Sequence, residues 1–337
     1  MPQPSRSPRT PTTPATSPAP SRRRAPRTWG SGRPVAGRTR HWRAESLAGS
    51  GNIEVPDRVG RVGTLVERLG YPPDARLLII TCENLGCAHA TNVGSYDVLR
   101  AGIGTSASLM VPCPWAREAA AAYRGEDVGV NLTLNAPFDK YRWGPITLAP
   151  SLLDGDGGFP RTAGDLWDHA DTEEVRRECR AQIERAILWG FDVNHLGSHL
   201  DALNARPEFF DVYLELATEF NLPLRLQSGD SESTYGFPFR RRAEEHGVLS
   251  PDRVLRPRTA DALEQALAEI GPGVTELVVN PGIETPELRA AHTEWNDWVS
   301  QYELLVDTVS IPKLLERTGV TRIGYSTLRA AQTARGL

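Results

Sequence analysis

The sequence predicts an α/β fold in which a parallel sheet curls into a (β/α) barrel, either regular or distorted and incomplete. Short apolar segments alternate with amphipathic, helix-like segments from about residue 59 to residue 325. The first apolar segment, 77–81, reads Leu-Leu-Ile-Ile-Thr, as expected for a strand that is buried on both faces of a parallel sheet. Several of these segments end in polar residues, and α/β folds display their functional side chains at that end of a strand.

The same patterns place the individual elements. Strands are predicted at 77–81, 106–111, 128–134, 191–195, 223–227, 275–280 and 322–325. Helices are predicted at 62–69, 89–100, 115–124, 171–189, 207–220, 260–270, 292–306 and 311–318. The helix after Asp171 is expected to have a capping box with Glu174 and an apolar stripe that ends at Ile187. Residues 135–170 are loop-rich, which is typical of a lid or a binding loop.

The first fifty residues differ in composition from the rest of the chain. They contain ten Arg, no Lys and one acidic residue, among many Pro, Ser and Thr, so residues 1–50 are predicted to be a disordered tail. A single folded domain is expected over 51–330, with a short tail over 331–337. The whole chain has 38 basic and 42 acidic residues, so the part after the tail is acidic and nucleic acid is not an expected partner.

The cysteine content and the hydropathy pattern indicate the compartment. Four cysteines (Cys82, Cys87, Cys113 and Cys179) are too few for a disulfide scaffold in 337 residues and indicate free thiols. No apolar run approaches the length of a membrane span, and no secretory signal is recognisable, so a cytoplasmic protein is expected. Cys82, Cys87 and His89 have a spacing seen in soft-metal sites, but no second cysteine pair accompanies them.

Polar residues with chemical potential follow four of the predicted strands: Glu83, Asn84, Asn131, His195, His199 and Asn280. On a barrel they would converge at one face. An asparagine cannot act as a general base and is a weak metal ligand, so only Glu83 and the two histidines could bind a metal or move a proton. A strand-end asparagine is more often a turn or cap residue, and His195 would equally suit a position in the core.

Four segments resemble the YdjC/ChbG-type carbohydrate deacetylases, and flanking segments extend the resemblance over about residues 74–330. Residues 81–86 (Thr-Cys-Glu-Asn-Leu-Gly) resemble a strand followed by Asp-Asp-Phe/Leu-Gly. Residues 128–135 resemble a Gly-x-His-Leu-Thr-Leu segment, and residues 195–199 (His-Leu-Gly-Ser-His) a His-x-Asp-Ser-His segment. Residues 278–282 (Val-Val-Asn-Pro-Gly) resemble a strand that ends in His-Pro-Gly. The resemblance implies a barrel of the glycoside hydrolase/deacetylase type.

The resemblance also implies a chemistry, in which a divalent metal (Zn²⁺, Mg²⁺ or Ni²⁺) is held by one Asp and two His while a second Asp acts as base. The metal-bound water of the family attacks the acetamido carbon of an N-acetyl sugar. Transferred by position, the base corresponds to Glu83, and the supporting Asp to Gly197. The ligands correspond to Asn84, Asn131 and His199, and a late His to Asn280. His199 is the one identical residue among these six.

The replacements predict that the metal-dependent reaction has been lost or repurposed, because two of the three ligand positions carry neutral amides. No cofactor is then expected, and the chain is predicted to bind a sugar-like or acylated-amine ligand or a partner. The residues expected to act in catalysis are Glu83, Asn280 and His195. Those expected to contact the ligand are Asn84, Asn131, Arg142 and Trp143, and His199 is the retained metal position.

Two other interpretations remain open at this point. The first is an active enzyme, which either keeps a metal through Glu83, His195 and His199 to remove an N-acetyl group or uses Glu83 or His199 in metal-free acid–base chemistry. The second is a subunit that forms a homodimer or pairs with an active relative.

Overall fold

The computed structural model describes residues 63–334. The predicted tail over 1–50, the start of the predicted domain and residues 335–337 lie outside the described residues. None of the helices in 63–334 combines the length and the apolar character that crossing a bilayer requires.

Within this range the strands pair in parallel in one curled sheet, which confirms the predicted α/β fold with an incomplete barrel. The strands are β1 (Arg76–Leu85), β2 (Ser106–Leu109), β3 (Val128–Leu132), β4 (Val193–Ser198), β5 (Arg253–Leu255), β6 (Gly273–Val279) and β7 (Val320–Arg322). Their order is β4-β3-β2-β1-β6-β5. β7 pairs with residues 76–78 of β1, and β2 pairs with residues 81–85, so β1 has neighbours along its whole length.

Helices surround the sheet. They are α1 (Leu65–Arg68), α2 (His89–Arg100), α3 (Ala116–Ala122), α4 (Ala163–His169), α5 (Thr172–Leu188), α6 (Pro207–Glu219), α7 (Ser231–Tyr235), α8 (Phe239–Glu245), α9 (Ala260–Ala268), α10 (Pro286–Ala291), α11 (Trp295–Leu305), α12 (Ser310–Thr318) and α13 (Tyr325–Thr333). The bounds of α2 are those predicted from the sequence.

The central strand β1 is apolar from Leu77 to Ile80 because both of its faces are buried there. Leu78 and Ile80 pack into the large core beneath the helices, whereas Leu77 and Ile79 pack into a smaller cluster that contains Tyr325. All four aliphatic side chains are completely buried. Strand β1 therefore fixes the centre of the fold and carries Glu83 and Asn84 at its carboxyl end.

Three predicted elements differ from the structure. Segment 223–227 forms a single bridge between Leu196 and Leu224 instead of a strand, because Pro223 has no N–H to donate. The next strand along the chain is β5, and no strand was predicted there. The helix predicted over 292–306 is present as α11, which begins at Trp295, and α10 before it was not predicted. Tyr325 begins a helix instead of ending a strand. Helix α13 continues to Thr333, beyond residue 330.

The start and the stripe of α5 also differ from the prediction. Asp171 caps the helix by accepting hydrogen bonds from the backbone N–H groups of residues 173 and 174. The carboxylate of Glu174 accepts from the backbone and hydroxyl of Ser151 instead, so it fastens the preceding loop and forms no capping box. Ile187 is 48% exposed, so the buried stripe ends before it.

Candidate functional site

The carboxyl ends of β1, β4 and β6 open into a cavity of about 570 Å³. Of the residues that the sequence indicated, four line this cavity: Glu83, Asn84, His199 and Asn280. Arg256 and the aromatic residues Phe138, His292 and Trp298 contribute further parts of the wall. The cavity is large enough for a sugar and combines apolar walls with a few polar groups, as ligand sites usually do.

The carboxylate of Glu83 is held by two arginines. Nη1 of Arg225 and Nη1 of Arg256 both donate to the same oxygen, Oε1, at 2.9 Å and 3.0 Å. Burial by itself raises the pKa of Glu83, but the charges of Arg256 and Arg225 outweigh it, so the pKa lies below its usual value. Glu83 is therefore a stable carboxylate with little tendency to accept a proton.

Arg225 is the centre of a buried charged network. Its side chain is 1% exposed, and its Nε donates to Oε1 of Glu276 at 2.9 Å. Nη2 of Arg225 donates to the hydroxyl of Ser108 at 3.1 Å. The hydroxyl of Tyr325 donates to the other carboxylate oxygen of Glu276 at 2.6 Å, so both oxygens of this fully buried acid are satisfied.

Sequence reasoning missed both arginines. The signal for Arg225 was available, because a single arginine between Leu224 and Leu226 in an apolar segment calls for a buried anion. Arg256 follows β5, a strand that was not predicted. Its Nη2 lies 3.4 Å from Oδ1 of Asp201, which links Glu83 to the loop after β4.

Two amide side chains meet at the cavity floor. Nδ2 of Asn84 donates to Oδ1 of Asn280 at 2.7 Å. The buried Gln301 of α11 accepts from the backbone N–H of Asn280 and donates to the carbonyl oxygens of Pro257 and Arg258. One glutamine side chain thus holds the end of β6 and the loop after β5 together.

His199 lies at the cavity wall as a neutral imidazole. It is 7% exposed, and burial lowers its pKa to about 4, although the charge of Glu83 acts in the opposite direction. Its Nδ1 has no hydrogen-bond partner within residues 63–334. A neutral imidazole has one ring nitrogen that donates a hydrogen bond and one that accepts one.

Asn131 lies beneath the cavity and is completely buried. In the described part of the chain, neither atom of its amide has a hydrogen-bond partner. The neighbouring Gly197 is closely surrounded, because a Cβ atom at that position would lie 3.1 Å from Nη1 of Arg225 and 3.2 Å from Oδ1 of Asn131. The resemblance implies an Asp side chain at position 197. The guanidinium of Arg225 leaves little space for such a side chain.

The other three predicted site residues do not line the cavity among the described residues. His195 is fully buried. Its Nε2 lies 2.8 Å from the hydroxyl oxygen of Ser108, its ring stacks on Tyr325 at 3.8 Å, and burial lowers its pKa well below the usual value.

Arg142 is bound to Asp154 and to nearby carbonyl oxygens, where it shapes the loop. Trp143 is 4% exposed and donates its indole N–H to the Asn135 carbonyl.

The donor set does not fit the metal of the resembling family. The three positions assigned to metal ligands carry two amides and one imidazole, with no carboxylate among them. Over residues 63–334, no group of three or more His, Cys, Asp and Glu side chains is placed to hold a metal ion. His89 contacts Glu118, and all four cysteines are free thiols in buried positions, so the spacing of Cys82, Cys87 and His89 forms no such group.

Comparisons with known proteins agree with this fold. The family model described as YdjC-like protein matches residues 77–313. A carbohydrate deacetylase of Thermus thermophilus is 37% identical over 235 residues, which cover 67% of this chain and 84% of that protein. A carbohydrate deacetylase of Geobacillus stearothermophilus is 27% identical over 258 residues, which cover 74% and 97% of the two chains.

A solved structure shows the same fold. It is a protein of Enterococcus faecalis V583 assigned to cellobiose-phosphate cleavage, which superimposes with a TM-score of 0.65 at 23% identity. The match covers 75% of this chain and 99% of that one. The extent of the family match and the identity to the Thermus protein together establish that this chain belongs to the YdjC-like family, whose curated members include carbohydrate deacetylases.

Proposed function

We propose that this chain binds a carbohydrate ligand in the cavity without the metal-dependent removal of an acetyl group. The observation that carries the proposal is the state of Glu83. This residue corresponds to the family's catalytic base, and its carboxylate is bound by Arg225 and Arg256. A general base needs a pKa near the working pH, whereas these two cations lower the pKa of Glu83.

The ligand positions support the same proposal. Loss of a first ligand removes most of the affinity of a metal site, and loss of supporting partners lowers it by a further ~10–100-fold. Here Asn84 is engaged with Asn280, and Asn131 brings no charge. These residues therefore provide neither a metal site nor a free base for the family's hydrolytic step.

Ligand binding needs none of these lost groups. The rings of Phe138 and Trp298 offer apolar faces on which a sugar can stack, and both rings contact His292, at 4.3 Å and 4.4 Å between ring centroids. The amide pair of Asn84 and Asn280 offers remaining donor and acceptor sites for sugar hydroxyl groups.

A second candidate function is metal-free acid–base chemistry, and one observation favours it. His199 is neutral, lines the cavity and has an unpartnered Nδ1 in the part of the chain that the structure describes. With a pKa of about 4 it would be a weak base at neutral pH, so we rank this function below ligand binding.

Elemental mass spectrometry combined with calorimetry tests the proposal. The purified protein is incubated with Zn²⁺, Ni²⁺ or Mg²⁺, desalted and analysed, and is titrated with N-acetylglucosamine and chitobiose with and without EDTA. We expect far less than one metal per chain and saturable sugar binding that EDTA does not change. A stoichiometric metal that disappears in His199→Ala would refute the metal-free proposal, and absence of saccharide binding would refute the ligand class.

A further inference from the structure

The turn directly after β4 has an unusual backbone. Leu200 has φ +52° and ψ +26°, and Asp201 has φ +55°. Residues other than glycine rarely adopt this left-handed conformation, and it is least favourable for a bulky residue. Such strain persists only where the surroundings impose it, and it concentrates at functional sites.

The polar contacts of Asp201 impose this turn. Its carboxylate accepts hydrogen bonds from Nε2 of Gln227 at 2.6 Å and Nδ2 of Asn204 at 3.0 Å, and Nη2 of Arg256 lies at 3.4 Å. These contacts come from separate segments of the chain. They hold the backbone of residues 200–201 against the cavity.

The strained conformation does not serve to bury the leucine. Leu200 is 48% exposed, whereas most leucines of the fold are completely buried. Leu200 lines the cavity together with Phe138, Trp298 and Val278. The turn thus presents a large apolar side chain to the same space that the amide pair of Asn84 and Asn280 faces.

We propose that Leu200 is a specificity-determining residue, and that the cavity takes a carbohydrate bearing an apolar group next to the sugar ring. This inference rests on the proposed carbohydrate binding. The polar groups of the floor meet the sugar, and Leu200 covers the apolar substituent and removes it from water. Two sources of that substituent share the chemistry: an acyl chain on the exocyclic amino nitrogen of the sugar and an apolar aglycone on the anomeric oxygen.

Calorimetric titration with two matched probe pairs tests the inference and distinguishes the two sources. One pair is the phenyl and methyl β-glycosides of N-acetylglucosamine, and the other is N-butanoyl- and N-acetylglucosamine. We expect one pair to show about tenfold tighter binding of the more apolar member, the discrimination that an added apolar group in a hydrophobic pocket provides. The pair that shows it identifies where the apolar group is attached.

The variants separate the role of Leu200 from general effects. Leu200→Asn tolerates the left-handed backbone but removes the apolar surface, so it should bind the two members of the pair with affinities within about twofold of each other. Leu200→Met should keep the preference. Leu148→Asn changes an 88% exposed leucine away from the cavity lining and should also keep it.

Each result decides a different claim. If the wild type binds no probe, both the carbohydrate function and this inference fail. If both members of each pair bind equally, the carbohydrate function stands and the inference fails. A preference that survives Leu200→Asn, in a protein whose thermal unfolding is unchanged, would remove Leu200 from the specificity determinants.

Discussion

Replacing Arg225 with methionine removes the central cation of the buried network while it keeps an apolar side chain of similar length. Glu276 is completely buried and would lose its guanidinium partner at 2.9 Å, with the Tyr325 hydroxyl as its remaining hydrogen-bond donor. Removal of one partner of a buried ion pair typically costs about 3–5 kcal/mol. We therefore expect the free energy of unfolding to fall by that amount at pH 8, a large fraction of the stability of a typical domain.

The loss of unfolding free energy should depend on pH, because Arg225→Met leaves a buried carboxylate without its cationic partner. Without Arg225, the charge of Glu276 would be buried without a counter-cation, and burial of an unpaired carboxylate favours the neutral form. A group whose folded pKa is raised adds stability below the unfolded pKa, and that stability is lost as pH rises through the folded pKa. Urea unfolding followed by tryptophan fluorescence should therefore show a smaller deficit for Arg225→Met at pH 5 than at pH 8.

Two further variants control this experiment. Adding Glu276→Gln to Arg225→Met removes the stranded charge but keeps an acceptor for Tyr325, so it should recover more than half of the loss. Arg176→Met breaks ion pairs with the partly exposed Glu173 and Glu215 and should cost less than about 1 kcal/mol. A loss for Arg225→Met that is equally small, or that is the same at both pH values, would contradict the assigned network.

Two other substitutions test the packing and the electrostatics around the site. Gly129→Ala should destabilise the fold by about 2–3 kcal/mol in thermal or urea unfolding, because its Cβ would lie 2.3 Å from Nδ1 of His195. Gly155→Ala, with no atom within 4 Å of the added Cβ, is its control, and equal stability of the two variants would contradict the placement of His195. The pKa of His199 is about 4, below its unfolded value, so stability should decrease as pH falls from about 6.5 to 4. His199→Gln should remove about 2–3 kcal/mol of that decrease in urea unfolding, and an unchanged pH profile would refute a buried neutral imidazole.

Local patterns were sufficient for much of the fold. Uninterrupted aliphatic residues before Glu83 predicted β1, because a strand buried on both faces leaves no polar positions. The bounds of α2 were predicted correctly at both ends. Strand β5 was missed because three residues, one of them an exposed leucine, carry no periodic signal that a sequence window can detect.

The site was harder to predict because its key contacts are distant in sequence. Arg225 lies 142 positions from Glu83, and no local pattern encodes that pairing. His195 shows a second difficulty, which is to predict how far a residue lies from the end of its strand. It precedes the end of β4 by three residues, or roughly 10 Å at the rise of an extended chain, which places it well below the cavity.

The position of Gln301 has a consequence for how the cavity can behave. Its amide joins the end of β6 to residues 257–258, so these two walls cannot separate without breaking either its hydrogen bond to Asn280 or its two hydrogen bonds to residues 257 and 258. The distance across the cavity is therefore set before any ligand arrives. A preorganised site of this kind loses little conformational entropy on binding, so it should select ligands by their fit to a fixed width and not by closing around them.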